Sequence, residues 1–133
     1  MRVFLDTNVL VSAVATRGLC ADLVREVLAG HELVVSRQVL NEVGEALRRK
    51  LGVDAATADD YVRLLEQDAT VARPGPVPDV DLRDRDDLPI LGAAVAARVD
   101  ALVTGDRELV ELGLVEGVAV LSPRACWDRL RSA

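Results

Sequence analysis

Arg2-Val3-Phe4-Leu5-Asp6-Thr7-Asn8 opens the chain, and the way it is read decides the fold. A short apolar run, Val3 to Leu5, stops on an aspartate. The same construction returns at Ala101-Leu102-Val103, which runs into Thr104-Gly105-Asp106. A strand that ends on an acid sets the carboxylate at its C-terminal end, where open α/β sheets bind ligands. Two such strands predict one shared acidic site. Clustered acids repel unless something cationic neutralises them, so the site calls for a divalent cation.

The segments around these two strands alternate. Val9 to Val14 starts a helix that Arg17-Gly18 breaks. Leu19 to Ala29 places Leu23, Val24, Val27 and Leu28 at helical spacing and closes on Gly30. Glu32 to Val35 reads as a second strand. Ser36 caps a helix over 37–50 with Val39, Leu40, Val43 and Leu47 on one face, ended by Gly52. Asp54 or Thr57 caps a helix over 55–68 that buries Val62, Leu65 and Ala69, and Val71 pairs as a strand. Pro74-Gly75-Pro76-Val77-Pro78 is a rigid connector. A charged loop, 83–87, feeds an Ala-rich helix over 88–99 with Pro89 in its first turn. A short helix over 106–112 ends at Gly113. The last strand is 118–121, and Ser122 caps a final helix that begins with Pro123. Such alternation predicts an α/β fold with a parallel sheet covered on both faces.

The 133 residues suit a single domain, 1–133. Half are hydrophobic and only 2% aromatic, so the core is aliphatic. A net charge of −6 excludes a simple basic nucleic-acid coat but not a nuclease, whose site acids weigh in the count. Basic residues cluster at Arg48-Arg49-Lys50 and at Arg124, Arg129 and Arg131; each cluster is read as a solvated helix end. Cys20 and Cys126 form no C-x-x-C pair, and two free thiols suit a reducing cytoplasm. Asp6 interrupts the first apolar run too early for a signal peptide. No apolar stretch reaches the roughly 18 residues of a membrane span.

Four acids stand out. Asp6 and Asp106 follow strands. Glu42 borders the apolar face of the helix after the second strand. Asp87 opens the Ala-rich helix. Each has a plainer role: Asp6 as a turn acid, Asp87 and Asp106 as helix caps, Glu42 as a solvated helix residue. Their joint placement favours Mg2+ or Mn2+, hard cations that prefer carboxylate oxygen and water. Phosphodiester hydrolysis follows from that chemistry. Competing motifs are missing: there is no G-x-S-x-G, no G-x-x-x-x-G-K-[ST], no G-x-G-x-x-G after the first strand, and a lone histidine, His31, sits in a loop before a strand.

The segments FLDTNVLVSA, VVSRQVLNEV, RDRDDLPILGAAVAARVDALVTGD and LSPRACWDRL, in that order along nearly the whole chain, resemble a PIN domain. They are most similar to the stand-alone prokaryotic toxins of toxin–antitoxin systems, relatives of the VapC-type toxins. The resemblance implies a three-layer α/β/α sandwich with a mostly parallel central sheet. It also implies a magnesium-dependent endoribonuclease. The family's four acids fall on Asp6, Glu42, Asp87 and Asp106. Asn8 and Thr104 match supporting positions, and Asp84 matches a recurrent loop acid. Asp84, Asp86 and Asp87 therefore compete for the third place. The stretch DRDDLP departs from the commoner pattern at Arg85 and Leu88, which bears on loop shape.

On this reading Asp6, Asp87 and Asp106 ligate metal, and Glu42 serves a second ion or positions the attacking water. Arg17, Arg37, Arg85 and Arg107 are candidates for substrate phosphates. The implied partners are an RNA substrate, a cognate antitoxin protein and, as is common in the resembled family, a second copy in a homodimer. Leu109, Leu112, Leu114 and Trp127 are the candidate apolar surface for that. Two alternatives stay open: a PIN-like nuclease of DNA flaps, and a PIN-like binding module without catalysis.

Overall fold

The computed structural model describes residues 1–132. Its strands are β1 (Arg2–Leu5), β2 (Glu32–Ser36), β3 (Thr70–Ala72), β4 (Ala101–Val103), β5 (Leu114–Val115) and β6 (Val118–Leu121). Its helices are α1 (Thr7–Ala15), α2 (Leu19–Gly30), α3 (Arg37–Arg49), α4 (Ala55–Asp68), α5 (Asp87–Ala96), α6 (Arg107–Glu111) and α7 (Pro123–Ser132). One sheet holds all six strands in the order β3-β2-β1-β4-β6-β5. Every neighbouring pair is parallel except β5 and β6.

That order explains why the strands read as continuous apolar runs. β1 lies in the middle, with Phe4 level with Val34 on one side and Leu102 on the other. Val3, Phe4, Leu5, Val34, Val35, Leu102 and Val103 are fully buried, as expected of strands covered on both faces. From β1 the chain steps outward to β2 and β3 through α1–α4, then returns past both to β4. Right-handed crossovers in opposite directions put the first set of helices and α5 on opposite faces. α1 packs on α2 and α3, α3 on α4 and α2 on α7, while α5 lies across β2 and β3. The helices and mostly parallel sheet form the expected α/β sandwich. The direction of winding reverses between β1 and β4, which makes the gap beyond their C-terminal ends the topological switch point.

Three features depart from the sequence reading. The helix expected to run to Val99 stops at Ala96. Arg98 adopts φ 55, and the Arg98 and Val99 amides donate to the Val95 and Ala94 carbonyls. This is a Schellman ending with arginine where glycine is usual, so no glycine announced it. β5 is a strand to which the sequence reading assigns no element. It forms a hairpin with β6 through Glu116 (φ 47) and Gly117 (φ 89), a tight turn whose first residue is not one of the usual Asn, Asp or Gly. Leu28, placed on the buried face, is 41% exposed. Among the described residues no single helix is long and apolar enough to cross a membrane.

The connector after β3 is seated on α5 by glycines. A Cβ on Gly75 would lie 2.5 Å from the Ala96 Cβ and 2.7 Å from the Gly92 carbonyl oxygen. A Cβ on Gly92 would meet the Pro76 carbonyl oxygen at 2.9 Å. This close approach fixes the helix that begins at Asp87. Gly75→Ala is expected to destabilise the fold by about 1–3 kcal/mol through overpacking, measured by urea unfolding. Gly30→Ala, where the added methyl meets nothing within 4 Å, serves as the control that leaves the midpoint almost unchanged.

Candidate active site

Asp6 ends β1 and begins α1. Its amide donates to the Val103 carbonyl (3.0 Å), extending the β1–β4 ladder by one rung. The residue is 4% exposed in a chain whose only other buried polar residues, among those described, are Ser36 and Thr104. Such burial is tolerated because donors surround it. The Thr7 amide donates to Oδ1 at 2.7 Å. The Thr104 hydroxyl donates to Oδ2 at 2.8 Å, and the Asn8 side-chain amide reaches the same oxygen at 3.4 Å. Burial nevertheless pushes the Asp6 carboxyl up from its ordinary value, and the charges of Glu42 and Asp106 add to it against the lowering by Thr104 and Thr7.

Asn8 and Thr104 lock the two strand ends together. The Asn8 side-chain Oδ1 accepts from the Gly105 amide at 2.8 Å, and the Thr104 hydroxyl accepts from the Asp106 amide at 3.0 Å. Gly105 has little choice of side chain here, since a Cβ would stand 3.1 Å from the Asn8 oxygen. Asp106 caps α6 by accepting from the Glu108 amide (2.9 Å) while it also lines the cavity described below. The capping role and the site role coexist.

Glu42 reaches the site from α3 because Val39, Leu40, Val43 and Leu47 bury the neighbouring stripe of that helix. Both its oxygens are held. The Thr7 hydroxyl donates to Oε1 at 2.8 Å, and the Gln38 side-chain amide donates to Oε2 at 3.0 Å. Gln38 also donates to the Asp86 carbonyl at 3.0 Å, which ties α3 to the loop before α5. Neither Thr7 nor Gln38 was singled out from sequence. Gln38 stands four residues before Glu42, on the same helical face, which was the available signal.

In that loop the three competing aspartates separate. Asp84 folds back to accept from the Asp86 amide at 2.9 Å. Asp86 is exposed and contributes its backbone. Asp87 sits in the first turn of α5 facing the other acids. Burial, then the charges of Asp6, Asp84 and Asp106, raise its carboxyl to about 7.

A cavity of about 460 Å³ at the switch point is lined by Asp6, Glu42, Asp84, Asp87 and Asp106, with Lys50 at its margin. All four primary sequence candidates thus meet in one place, with Asn8 lining it and Thr104 behind Asp6; Asp86 does not join them. Among the described residues none of the five acids has a salt-bridge partner, and no three of them form a ready-made metal cluster. Lys50, read as part of a solvated helix end, lines the cavity instead. Arg37 is engaged elsewhere, in a 2.7 Å pair with Glu66. Leu109 belongs to the core and Leu112 is partly buried, whereas Leu114 is 70% exposed.

A doubly wound, mostly parallel sheet with five acids around a cavity at its switch point, none of them in a salt bridge among the described residues, defines an α/β protein with an acidic cavity. Residues 2–108 match the family model of the PIN domain, a family of nucleases, and the chain belongs to that family. The fold is similar to that of VapBC2 from Rickettsia felis, solved bound to a DNA fragment from its promoter, with a TM-score of 0.64 and 13% identity over 92% of this chain and 98% of that one. It is also similar to PAE2754 from Pyrobaculum aerophilum, with a TM-score of 0.66 and 20% identity over all of this chain and 91% of that one. No curated protein matches by sequence.

The raised Asp87 carboxyl has a signed effect on stability. Between its ordinary value of 3.8 and about 7, the folded protein keeps a proton that the unfolded chain has lost. Stability from this group therefore falls as pH rises through that window and levels off above it. Asp87→Asn, melted in chelator beside the parent, is expected to gain in relative stability steadily from pH 4.5 to pH 7.5. A difference that does not change with pH would contradict this.

Proposed function

We propose that this PIN domain is a divalent-cation-dependent endoribonuclease, the toxin of a toxin–antitoxin pair acting in the cytoplasm. One observation carries the reading: five carboxylates share a cavity at the switch point with no salt-bridge partner among the described residues. Hard oxygen donors of that number suit Mg2+ or Mn2+. Asp6, Asp87 and Asp106 would hold the ion, with Glu42 as a further ligand and Asp84 at the rim. The bound cation would supply Lewis-acid charge at a phosphodiester.

The chain's own residues prepare the site. Thr104, Thr7 and Asn8 fix both oxygens of Asp6, so that the carboxylate presents one orientation. Thr7 and Gln38 do the same for Glu42. Such outer contacts hold ligands in place before an ion arrives. Crowding of the acids stores repulsion that a cation relieves, and it adds to the burial that raises Asp87. The antitoxin partner rests on the likeness to the Rickettsia felis VapBC2 fold, and RNA as substrate on the likeness of motifs to the toxin group. The free Cys20 and Cys126 suit a reducing compartment.

The test is cleavage of labelled single-stranded RNA, with flap DNA in parallel, in magnesium and in chelator. Asp6→Asn is expected to lower magnesium-dependent RNA cleavage by about 100-fold or more, as loss of several kcal/mol of charge stabilisation implies. Undiminished cleavage by that variant, or faster cleavage of flap DNA by the parent, overturns the reading. Gln38→Ala is expected to weaken manganese binding by about 10-fold, the scale of losing an outer-shell contact, as read by calorimetry.

A further inference from the structure

Of sixteen lysines and arginines, seven are neutralised by an acid: Arg2, Arg25, Arg37, Arg48, Arg49, Arg63 and Arg83. Two of the cations without such a partner among the described residues stand beside the carboxylate cavity. Lys50 follows the last turn of α3 and lines both that cavity and a second one, which joins it through Thr7 and Glu42. Arg107 opens α6 and lines a third, which joins it through Asp84 and Asp106. Arg17 and Arg85 line none of the three.

The linings say where these cations lie. Lys50, after the last turn of α3, stands on the Thr7–Glu42 side of the carboxylate cavity, and Arg107, at the start of α6, on its Asp84–Asp106 side. A polyanion crossing the cavity from one side to the other meets a cation, the acidic centre, and a cation again. Phe4, Tyr61 and Trp127 are the only aromatic residues in the chain, and none of them lines any of the three cavities. Base stacking is thus not the anchor, and backbone phosphates are what this surface can hold.

We infer that Lys50 and Arg107 bind the phosphates on either side of the scissile one, so that single-stranded RNA crosses the acidic cavity from its α3 side to its α6 side. This rests on the ribonuclease reading above and adds the path of the strand and the two groups that hold it. Binding is then mainly electrostatic and strongly dependent on salt. Each lost phosphate contact lowers the slope of log affinity against log salt by about 0.7 for a single strand.

The experiment measures anisotropy of fluorescein-labelled single-stranded RNA with the Asp6→Asn protein as parent, between 50 and 200 mM salt (a span over which phosphate contacts register clearly). Lys50→Ala and Arg107→Ala are each expected to flatten the slope by about 0.7, and the pair by about twice that. Lys50→Arg and Arg107→Lys are expected to keep the parent slope. Calorimetry with manganese, on proteins that retain Asp6, is expected to show affinity undiminished by either alanine. Slopes equal to the parent's in both alanine variants overturn the path, as does a slope change seen with flap DNA and not with RNA. Failure of the ribonuclease reading shows separately, as cleavage that survives Asp6→Asn.

Discussion

The hydrogen bond from the Thr104 hydroxyl to the Asp6 carboxylate, 2.8 Å long and wholly inside the protein, is the contact on which the arrangement turns. The two residues are 98 positions apart. They meet because β1 and β4 are neighbours in the sheet and the Asp6 amide adds a last rung to their ladder. A carboxylate placed there without donors would be expensive to bury. With Thr104, Thr7 and Asn8 around it, the acid is held at the end of a strand buried from Val3 to Leu5. From this contact the rest is placed: Asn8 fixes Gly105, Thr104 fixes the amide of Asp106, and Asp106 starts α6.

The opposing constraint is charge. Five acids around one cavity lower the stability of the protein without an ion, and Asp87 registers it most clearly. The fold tolerates this because the aliphatic core beneath, from Val3–Leu5 through Leu33–Val35 to Leu102 and Val103, is closed on both faces and independent of the site. Glu42 is brought in by a helix whose apolar stripe would be the same whatever acid stood beside it. Scaffold and site thus share the C-terminal edge of the sheet and little else.

Much of this was legible in the chain. Strands buried on both faces show as unbroken apolar runs, and an acid directly after such a run has its position fixed within a residue. That is why Asp6 and Asp106 were readable. Glu42 was readable from its place beside a helical apolar stripe. The third acid was placed at Asp87, at the start of the Ala-rich helix, with Asp84 and Asp86 left in competition, because they precede it in an irregular loop where sequence carries no period to orient a side chain. Gln38 had a local signal in its i,i+4 spacing to Glu42, but its tie to the Asp86 carbonyl and the place of Lys50 at the cavity are features of tertiary structure that no local pattern encodes. The early end of α5 and the β5–β6 turn escaped notice because Arg98 and Glu116 adopt left-handed backbone conformations usually left to glycine or asparagine.

The small hairpin strand β5 has a consequence for solubility. A parallel sheet must finish somewhere, and its outermost strands present unpaired amides and carbonyls to any extended chain that drifts past. Here one border is only two residues long, Leu114 and Val115, and it turns back against the direction of its neighbours. The other is three residues long and is followed by Arg73 and Pro74, the latter with no amide hydrogen to offer. Both borders are too short to template fibril-like stacking of an aliphatic sheet rich in valine and leucine.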